Sequence, residues 1–103
     1  MNYKIISPSP KLVVKVEGHL DTITAPALGE ALSSNLENIE SFVCDLENVD
    51  YVSSAGLRLL LTWHKQCKSQ NATFTLRNVT PTVKEILSVS GFVKILNIEA
   101  PNA

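Results

Sequence analysis

The chain has 103 residues, of which 45% are hydrophobic and 18% are charged, enough for one ordinary globular domain and too few for two. A net charge of −1 without a run of Lys or Arg excludes the electrostatic footprint of a nucleic-acid-binding protein. No apolar run long enough to cross a bilayer and no signal-peptide pattern occurs, so we expect a cytoplasmic protein without membrane insertion.

Two short β-rich runs open the chain. YKII at 3–6 and LVVKVEG at 12–18 flank the turn SPSPK, whose prolines do not fit the middle of a continuing strand. We predict that the two strands form an antiparallel hairpin. A helix should follow, because Thr24 can act as a cap, Pro26 falls in the first turn, and apolar residues recur at helical spacing. These apolar residues are Leu28, Ala31, Leu32 and Leu36.

The middle of the chain predicts a strand followed by a second helix. SFVCDL at 41–46 is a short apolar run bounded by polar turns, which is typical of a buried strand. The helix is predicted within VDYVSSAGLRLLLTWHKQC, residues 49–67, where apolar and polar residues separate onto two faces. The predicted inward face comprises Leu57, Leu60, Leu61 and His64, and the opposite face comprises Arg58, Thr62, Lys65 and Ser69.

The last third of the chain predicts a strand, a helix and a final strand. ATFTLRNV at 72–79 alternates as a half-buried strand does. The helix is delimited by Thr80 as a cap, Pro81 at its first position and Gly91 after its end. FVKILNIE at 92–99 predicts a final short strand. The core residues expected from this part are Phe74, Leu76, Val83, Ile86 and Leu87.

The order of elements predicts the fold class. Strands joined through helices must lie parallel and connect by right-handed crossovers. We therefore predict an α/β fold with a mostly parallel sheet of four to five strands, an antiparallel first strand, and helices packed against the sheet. Residues 1–99 should form a single domain and residues 100–103 a frayed tail.

The topology also indicates where a functional site should lie. Ligands and partners of open α/β sheets meet the loops at the carboxyl ends of the parallel strands. Two such loops carry informative residues, GHLDTITAP at 18–26 and ENVDYVSSAG at 47–56. If their strands are neighbours, Asp21 and the pair Ser53 and Ser54 share one rim of the sheet.

Ser54 is predicted to cap the second helix. Leu57 stands where a reciprocal capping box requires Glu or Gln, so the start of the helix remains electropositive. A phosphate on Ser54 would gain from the exposed N–H groups and the helix dipole, and Arg58 could add a cation one turn later. The alternative is that Ser54 acts only as a cap.

Three motifs together suggest a family. GHLD near residue 20, DLENVDYVSSAGLRLLL in mid-chain and VSGFVKIL near the end follow each other in the order and spacing found in bacterial anti-sigma factor antagonists. The chain resembles these proteins, which are stand-alone STAS domains, over nearly its whole length.

The resemblance implies a phosphorylation switch. It places Ser54 on the family's phosphoacceptor serine, Gly56 on the glycine behind it, and Asp21 on the acidic residue facing that serine. In the family, the unphosphorylated antagonist binds an anti-sigma factor that is also a serine kinase, and this frees the sigma factor. Phosphorylation breaks the complex and a serine phosphatase restores it. The chain departs from the family pattern at Ser53, where Asp is common, and at Ala55, where Ser or Thr is frequent.

The sequence therefore predicts a binding module that is switched by phosphorylation and is a monomer or weak dimer. Its expected partners are a serine-kinase anti-sigma factor and a serine phosphatase. Leu59 and Trp63 flank the polar face of the second helix, where they either pack peripherally or contact the partner. The predicted partner-binding residues are Asp21, Thr22, Ser53, Ser54, Gly56, Arg58, Leu59 and Trp63.

No enzymatic site is predicted. His64 follows Ser54 by about 15 Å along the helix axis, too far for proton transfer. Val52 stands where a serine-hydrolase elbow requires its first glycine. Cys44 and Cys67 lie far apart without a CxxC pair, which favours core positions, so we expect neither a metal nor a cofactor.

Two alternative functions remain open. A STAS subunit of a lipid-transport or stress-signalling complex would use the same surface without phosphorylation. A STAS sensor for a nucleotide or another small ligand is the second alternative, although the sequence contains no Gly-rich phosphate loop.

Overall fold

Five strands and three helices make up the fold in the computed structural model, which describes residues 2–99. The strands are β1 (Asn2–Ser7), β2 (Lys11–Leu20), β3 (Ser41–Val52), β4 (Thr73–Arg77) and β5 (Asn97–Ile98). The helices are α1 (Thr24–Leu32), α2 (Ser54–Ser69) and α3 (Pro81–Val89). The sheet has the order β1-β2-β3-β4-β5, with β1 antiparallel to β2 and each later pair parallel. The predicted α/β architecture with an antiparallel first strand is confirmed.

The register of the central strands lines one face of the sheet with apolar side chains. Leu12 of β2 pairs with Phe42 of β3, and Phe42 pairs with Phe74 of β4. Because directly paired residues point to the same face, these three buried side chains adjoin one another. Each of the three helices adds buried apolar side chains to this same cluster, so the helices bury this face of the sheet.

Trp63 of α2 lies at the centre of this core. Its indole packs edge-on against two phenylalanine rings, with centroids 5.1 Å from Phe42 and 6.2 Å from Phe74, and the side chain is only 1% exposed. The prediction that placed Trp63 beside the polar face is wrong. Leu61 and His64, predicted to face inward, are half-buried instead. The buried side chains of α2 are Leu57, Leu60, Trp63 and Cys67.

The two cysteines occupy core positions, as predicted. Cys44 and Cys67 are both buried and unpaired. Burial raises the pKa of the Cys67 thiol to about 11 and also raises the pKa of Cys44, because the thiolate loses its hydration inside the protein. Both side chains are therefore neutral thiols at physiological pH and serve as small apolar groups.

Strands β2 and β3 extend past their predicted ends. Residues 47–52, predicted as a loop and the start of a helix, continue β3, and residues 19–20 continue β2. At two register shifts β3 advances one residue further than β2, so the last buried positions of β3 are Leu46, Val49 and Val52. The apolar pattern loses its period of two at these shifts, which is why the sequence predicted an end at Leu46. The extension carries both strands to the same edge of the sheet.

The segment predicted as a final strand is mostly a turn. Gly91 has a φ of 83°, a left-handed conformation that ends α3 as predicted. The chain then forms a 3₁₀ turn, Phe92–Lys94, closed by a hydrogen bond in which the Ile95 N–H donates to the Phe92 carbonyl at 3.0 Å. Only β5 remains to pair with β4.

The predicted start of α3 is confirmed, whereas the predicted end of α1 is wrong. Thr80 caps α3 as predicted, since its hydroxyl oxygen accepts the Val83 N–H at 3.4 Å. The helix predicted to reach Leu36 ends at Leu32 and continues as a 3₁₀ turn, Ser33–Leu36, while Ala31 faces solvent.

None of the helices within residues 2–99 is long and apolar enough to span a membrane. The tail predicted at 100–103 lies outside the described residues.

Candidate functional site

The predicted rim exists because β2 and β3 end side by side. Leu20 pairs with Val52, and the Ser53 N–H donates to the Leu20 carbonyl at 2.8 Å. The loop that follows β2 and the first turn of α2 therefore meet at one edge of the sheet. We use the term rim for residues 21–24 and 53–55.

The two adjacent serines at the start of α2 have different roles. Ser53, not Ser54, is the N-cap: its backbone is extended and its hydroxyl oxygen accepts the Gly56 N–H at 3.3 Å. The prediction that Ser54 caps the helix is wrong, because β3 continues to Val52 and leaves Ser53 as the residue between strand and helix. Ser54 is the first helical residue, exposed, and its hydroxyl makes no hydrogen bond within residues 2–99.

Replacing each serine by alanine should separate these roles. We expect Ser53→Ala to lower the free energy of unfolding by about 1 kcal/mol, because the Gly56 N–H loses its capping oxygen. Ser54→Ala should leave the free energy of unfolding within about 0.5 kcal/mol, as for other exposed sites. Urea unfolding followed by circular dichroism measures both, and a larger loss for Ser54→Ala would contradict this assignment of the cap.

Asp21 organises the loop that enters α1. One oxygen of its carboxylate accepts the N–H groups of Thr24, at 2.9 Å, and of Ile23, at 3.0 Å. These two hydrogen bonds, first that of Thr24 and then that of Ile23, lower the pKa of Asp21 because they favour the charged form. Thr24, predicted as the cap, is the first residue of the helix; its hydroxyl accepts the Asp21 N–H and donates to the His19 carbonyl. No hydrogen bond within residues 2–99 joins Asp21 to Ser54.

Two predicted contact residues are buried and do not reach the surface. An added Cβ at Gly56 would lie 2.5 Å from the Leu20 carbonyl oxygen and 2.8 Å from a Val52 methyl group. Gly56 therefore permits the close approach of α2 to the ends of β2 and β3. Its prediction as a partner contact, like that of Trp63, is wrong because both lie inside the protein.

The remaining predicted residues surround the rim and a shallow groove between α1 and α2. The groove has a volume of about 260 Å³ and begins beside Ser54 at Ala55. Arg58 is exposed along it and Leu59 is half-buried in it. Thr22 is exposed on the loop after β2. The groove is lined by Ala25, Pro26, Gly29, Glu30, Ala55, Arg58, Leu59 and Thr62.

The sequence reasoning did not select Ile23, the most exposed large apolar residue of the rim. Its side chain is 83% exposed. A signal was present, since a β-branched apolar residue stands among polar ones in the loop DTIT. A second omission is the pair formed by His19 Nδ1 and Asp50 Oδ1, 2.7 Å apart and exposed on the same edge. At this exposure such a contact adds little stability.

The described residues offer no metal centre. Within residues 2–99, no group of three or more His, Cys, Asp or Glu side chains is placed to hold a metal ion. The rim presents the exposed hydroxyl of Ser54 at the N-terminus of a 16-residue helix, with Arg58 one turn further on. This arrangement favours added negative charge, because the helix dipole and unpaired N–H groups are positive there.

Comparison with known proteins assigns the family. The model of the STAS domain matches residues 3–101. The chain belongs to the STAS domain family. Over 88 residues, 84% of this chain and 76% of the relative, it is 32% identical to BtrV of Bordetella bronchiseptica, which carries the name of an anti-sigma factor antagonist. It is 28% identical over 87 residues to the anti-sigma-B factor antagonist of Bacillus subtilis, covering 84% of this chain and 80% of the relative.

Solved structures of STAS proteins share the fold. The anti-sigma factor antagonist SpoIIAA in its unphosphorylated form matches with a TM-score of 0.80 and 17% identity over 96% of this chain and 89% of that one. Phosphorylated SpoIIAA from Bacillus matches with a TM-score of 0.70 and 16% identity, over 96% of this chain and 90% of that one. The resemblance seen in the motifs is thus confirmed at the level of family and fold.

Proposed function

We propose that this STAS domain is a cytoplasmic anti-sigma factor antagonist that binds a serine-kinase anti-sigma factor and is released when Ser54 is phosphorylated. A serine phosphatase would reset it, and the chain itself would catalyse no reaction. The observation that carries the proposal is the hydroxyl of Ser54, which is exposed and makes no hydrogen bond to any of residues 2–99, while the neighbouring Ser53 hydroxyl caps α2. The names of the relatives support the role in sigma factor regulation.

The position of Ser54 suits a reversible phosphate. At the first residue of α2 a phosphate meets the positive end of the helix dipole, and Arg58 lies on the next turn. The fold should therefore tolerate the modification. The added charge of about −2 nevertheless changes the surface that a partner meets, and a charge buried in an interface without a partner weakens binding.

The test is calorimetric titration of the purified serine-kinase anti-sigma factor with three versions of this chain. We expect Ser54→Asp to bind at least about tenfold more weakly than the wild type, a loss of about 1.4 kcal/mol. Ser54→Ala, which keeps the surface neutral, is the matched control and should bind like the wild type. Incubation with the same kinase and ATP should place one phosphate on Ser54, located by peptide mapping.

Two results would contradict the proposal. Equal affinity of Ser54→Asp and the wild type would show that charge at this position does not control binding. A phosphate found on Ser53, or no phosphate under any growth condition of the host, would remove Ser54 as the acceptor and favour a STAS subunit that binds constitutively.

A further inference from the structure

The most exposed apolar side chains occupy two distant places. Ile23 is 83% exposed and Val89 is 84% exposed, whereas the other exposed large apolar side chains within residues 2–99 reach at most 55%. Ile23 stands on the rim that carries Ser54. Val89 ends α3, whose first residue follows the carboxyl end of β4, so it lies about 12 Å along the helix axis away from that edge.

Hydrogen bonds hold the backbone of the loop that carries Ile23. Its own N–H and that of Thr24 both donate to the Asp21 carboxylate, and the Asp21 N–H donates to the Thr24 hydroxyl. A side chain presented on a hydrogen-bonded loop loses less conformational entropy on binding than one on a loose loop. In protein interfaces, a few side chains that fill well-packed pockets carry most of the binding energy.

Ile23 also lies near the groove between α1 and α2 in the chain. It is the N-cap residue of α1, and Pro26 lies three residues later on the same side of the helix. Pro26 lines the groove together with Ala55 and Leu59 of α2. Ile23 and Ser54 therefore both stand on the rim, each within two residues in the chain of a side chain that lines the groove.

We infer that Ile23 is the anchor residue through which this chain docks on its anti-sigma factor, and that the partner receives it in an apolar pocket. Asp21 then acts as a positioning residue that holds Ile23, and its carboxylate does not itself contact the partner. The inference rests on the proposed function and adds the chemistry of the contact. It also accounts for the switch, since a phosphate on Ser54 would have to lose water beside an apolar contact.

The first experiment compares two equally exposed apolar residues. Calorimetry with the purified serine-kinase anti-sigma factor should show at least a tenfold loss of affinity for Ile23→Ala. Val89→Ala should stay within about twofold of the wild type, since it lies away from the rim. Neither variant removes core packing, so both should fold. An affinity of Ile23→Ala equal to that of Val89→Ala would overturn the inference.

A second pair of variants separates positioning from direct contact. In Asp21→Asn the side-chain carbonyl still accepts the N–H groups of Ile23 and Thr24, so binding should stay within about threefold of the wild type. Asp21→Ala leaves both donors unpaired and should lose at least about tenfold. Equal losses in the two variants would show that the charge of Asp21 contacts the partner, and this would overturn its positioning role.

The outcomes separate this inference from the function on which it rests. If the wild type binds and Ser54→Asp does not, while Ile23→Ala binds normally, the proposed function stands and the anchor is overturned. If the wild-type chain binds no serine-kinase anti-sigma factor encoded in its genome, the proposed function and the anchor are both overturned.

Discussion

Trp63→Ala is expected to lower the free energy of unfolding by about 4 kcal/mol. The indole packs edge-on against the rings of Phe42 and Phe74, which also contact each other, and it has almost no exposed surface. Removing it leaves a cavity that the sheet and α2 cannot fully close, because β3 and β4 are held in register by their ladder. Trp63 is the one tryptophan of the chain, so urea unfolding must be followed by far-ultraviolet circular dichroism instead of fluorescence.

Leu59→Ala is the matched control for that substitution. Leu59 lies four residues earlier on the same helix but is half-buried and lines the groove. Leu59→Ala should lower the free energy of unfolding by only about 1 kcal/mol, since the Leu59 side chain buries less apolar surface than that of Trp63. If Trp63 were a partner contact instead of a core residue, Trp63→Ala would change stability less than Leu59→Ala does and would weaken partner binding in molecules that remain folded.

Gly56→Ala is expected to destabilise the protein by about 3 kcal/mol. A Cβ at this position would lie 2.5 Å from the Leu20 carbonyl oxygen and 2.8 Å from a Val52 methyl group. The first atom belongs to backbone in the sheet and the second to a buried branched side chain, so neither yields easily. The helix must therefore shift away from the ends of β2 and β3. That shift should also move Ser54, so slower modification by the proposed kinase is expected to accompany the loss of stability.

Gly29→Ala provides the control for the glycine. There a Cβ would meet only the Cδ1 atom of Leu59, at 3.0 Å, at the end of a half-buried side chain that can turn aside. The higher helix propensity of alanine, about 1 kcal/mol, offsets the crowding. Thermal unfolding should show almost no change for Gly29→Ala and a marked decrease in Tm for Gly56→Ala. Similar decreases in Tm for both variants would mean that glycine is required at position 56 because of crowding between helices in general, and not because of the ends of β2 and β3.

At the start of α2, neighbouring residues carry the structural roles and the proposed regulatory role. Ser53 satisfies the N–H of Gly56, and Gly56 lets the helix sit against Leu20. Ser53 and Gly56 make these structural contacts, whereas the exposed hydroxyl of Ser54 makes no hydrogen bond within the described residues. A modification there can change the surface without first breaking the cap.

Local patterns alone determined much of this protein. The alternation around Phe74, the cap at Thr80 and the left-handed glycine at Gly91 each follow from the chemistry of a few adjacent residues, and the structure has all three. The succession of strands and helices determined a parallel sheet with an antiparallel first strand, because a helix between two strands permits little else. The motifs around residues 18–21 and 45–61 determined the family.

Only the tertiary structure decided the features that depend on distant partners. β3 reaches Val52 because β2 lies beside it and two register shifts maintain the pairing, and that extension makes Ser53 the cap. The apolar stripe of α2 is broad, since leucines crowd residues 57–61, so its sequence allows more than one inward face. The adjoining rings of Phe42 and Phe74 form the surface against which Trp63 packs, and this packing selects the inward face of α2. Side-chain periodicity is local, whereas register and helix rotation are set by packing between segments far apart in the chain.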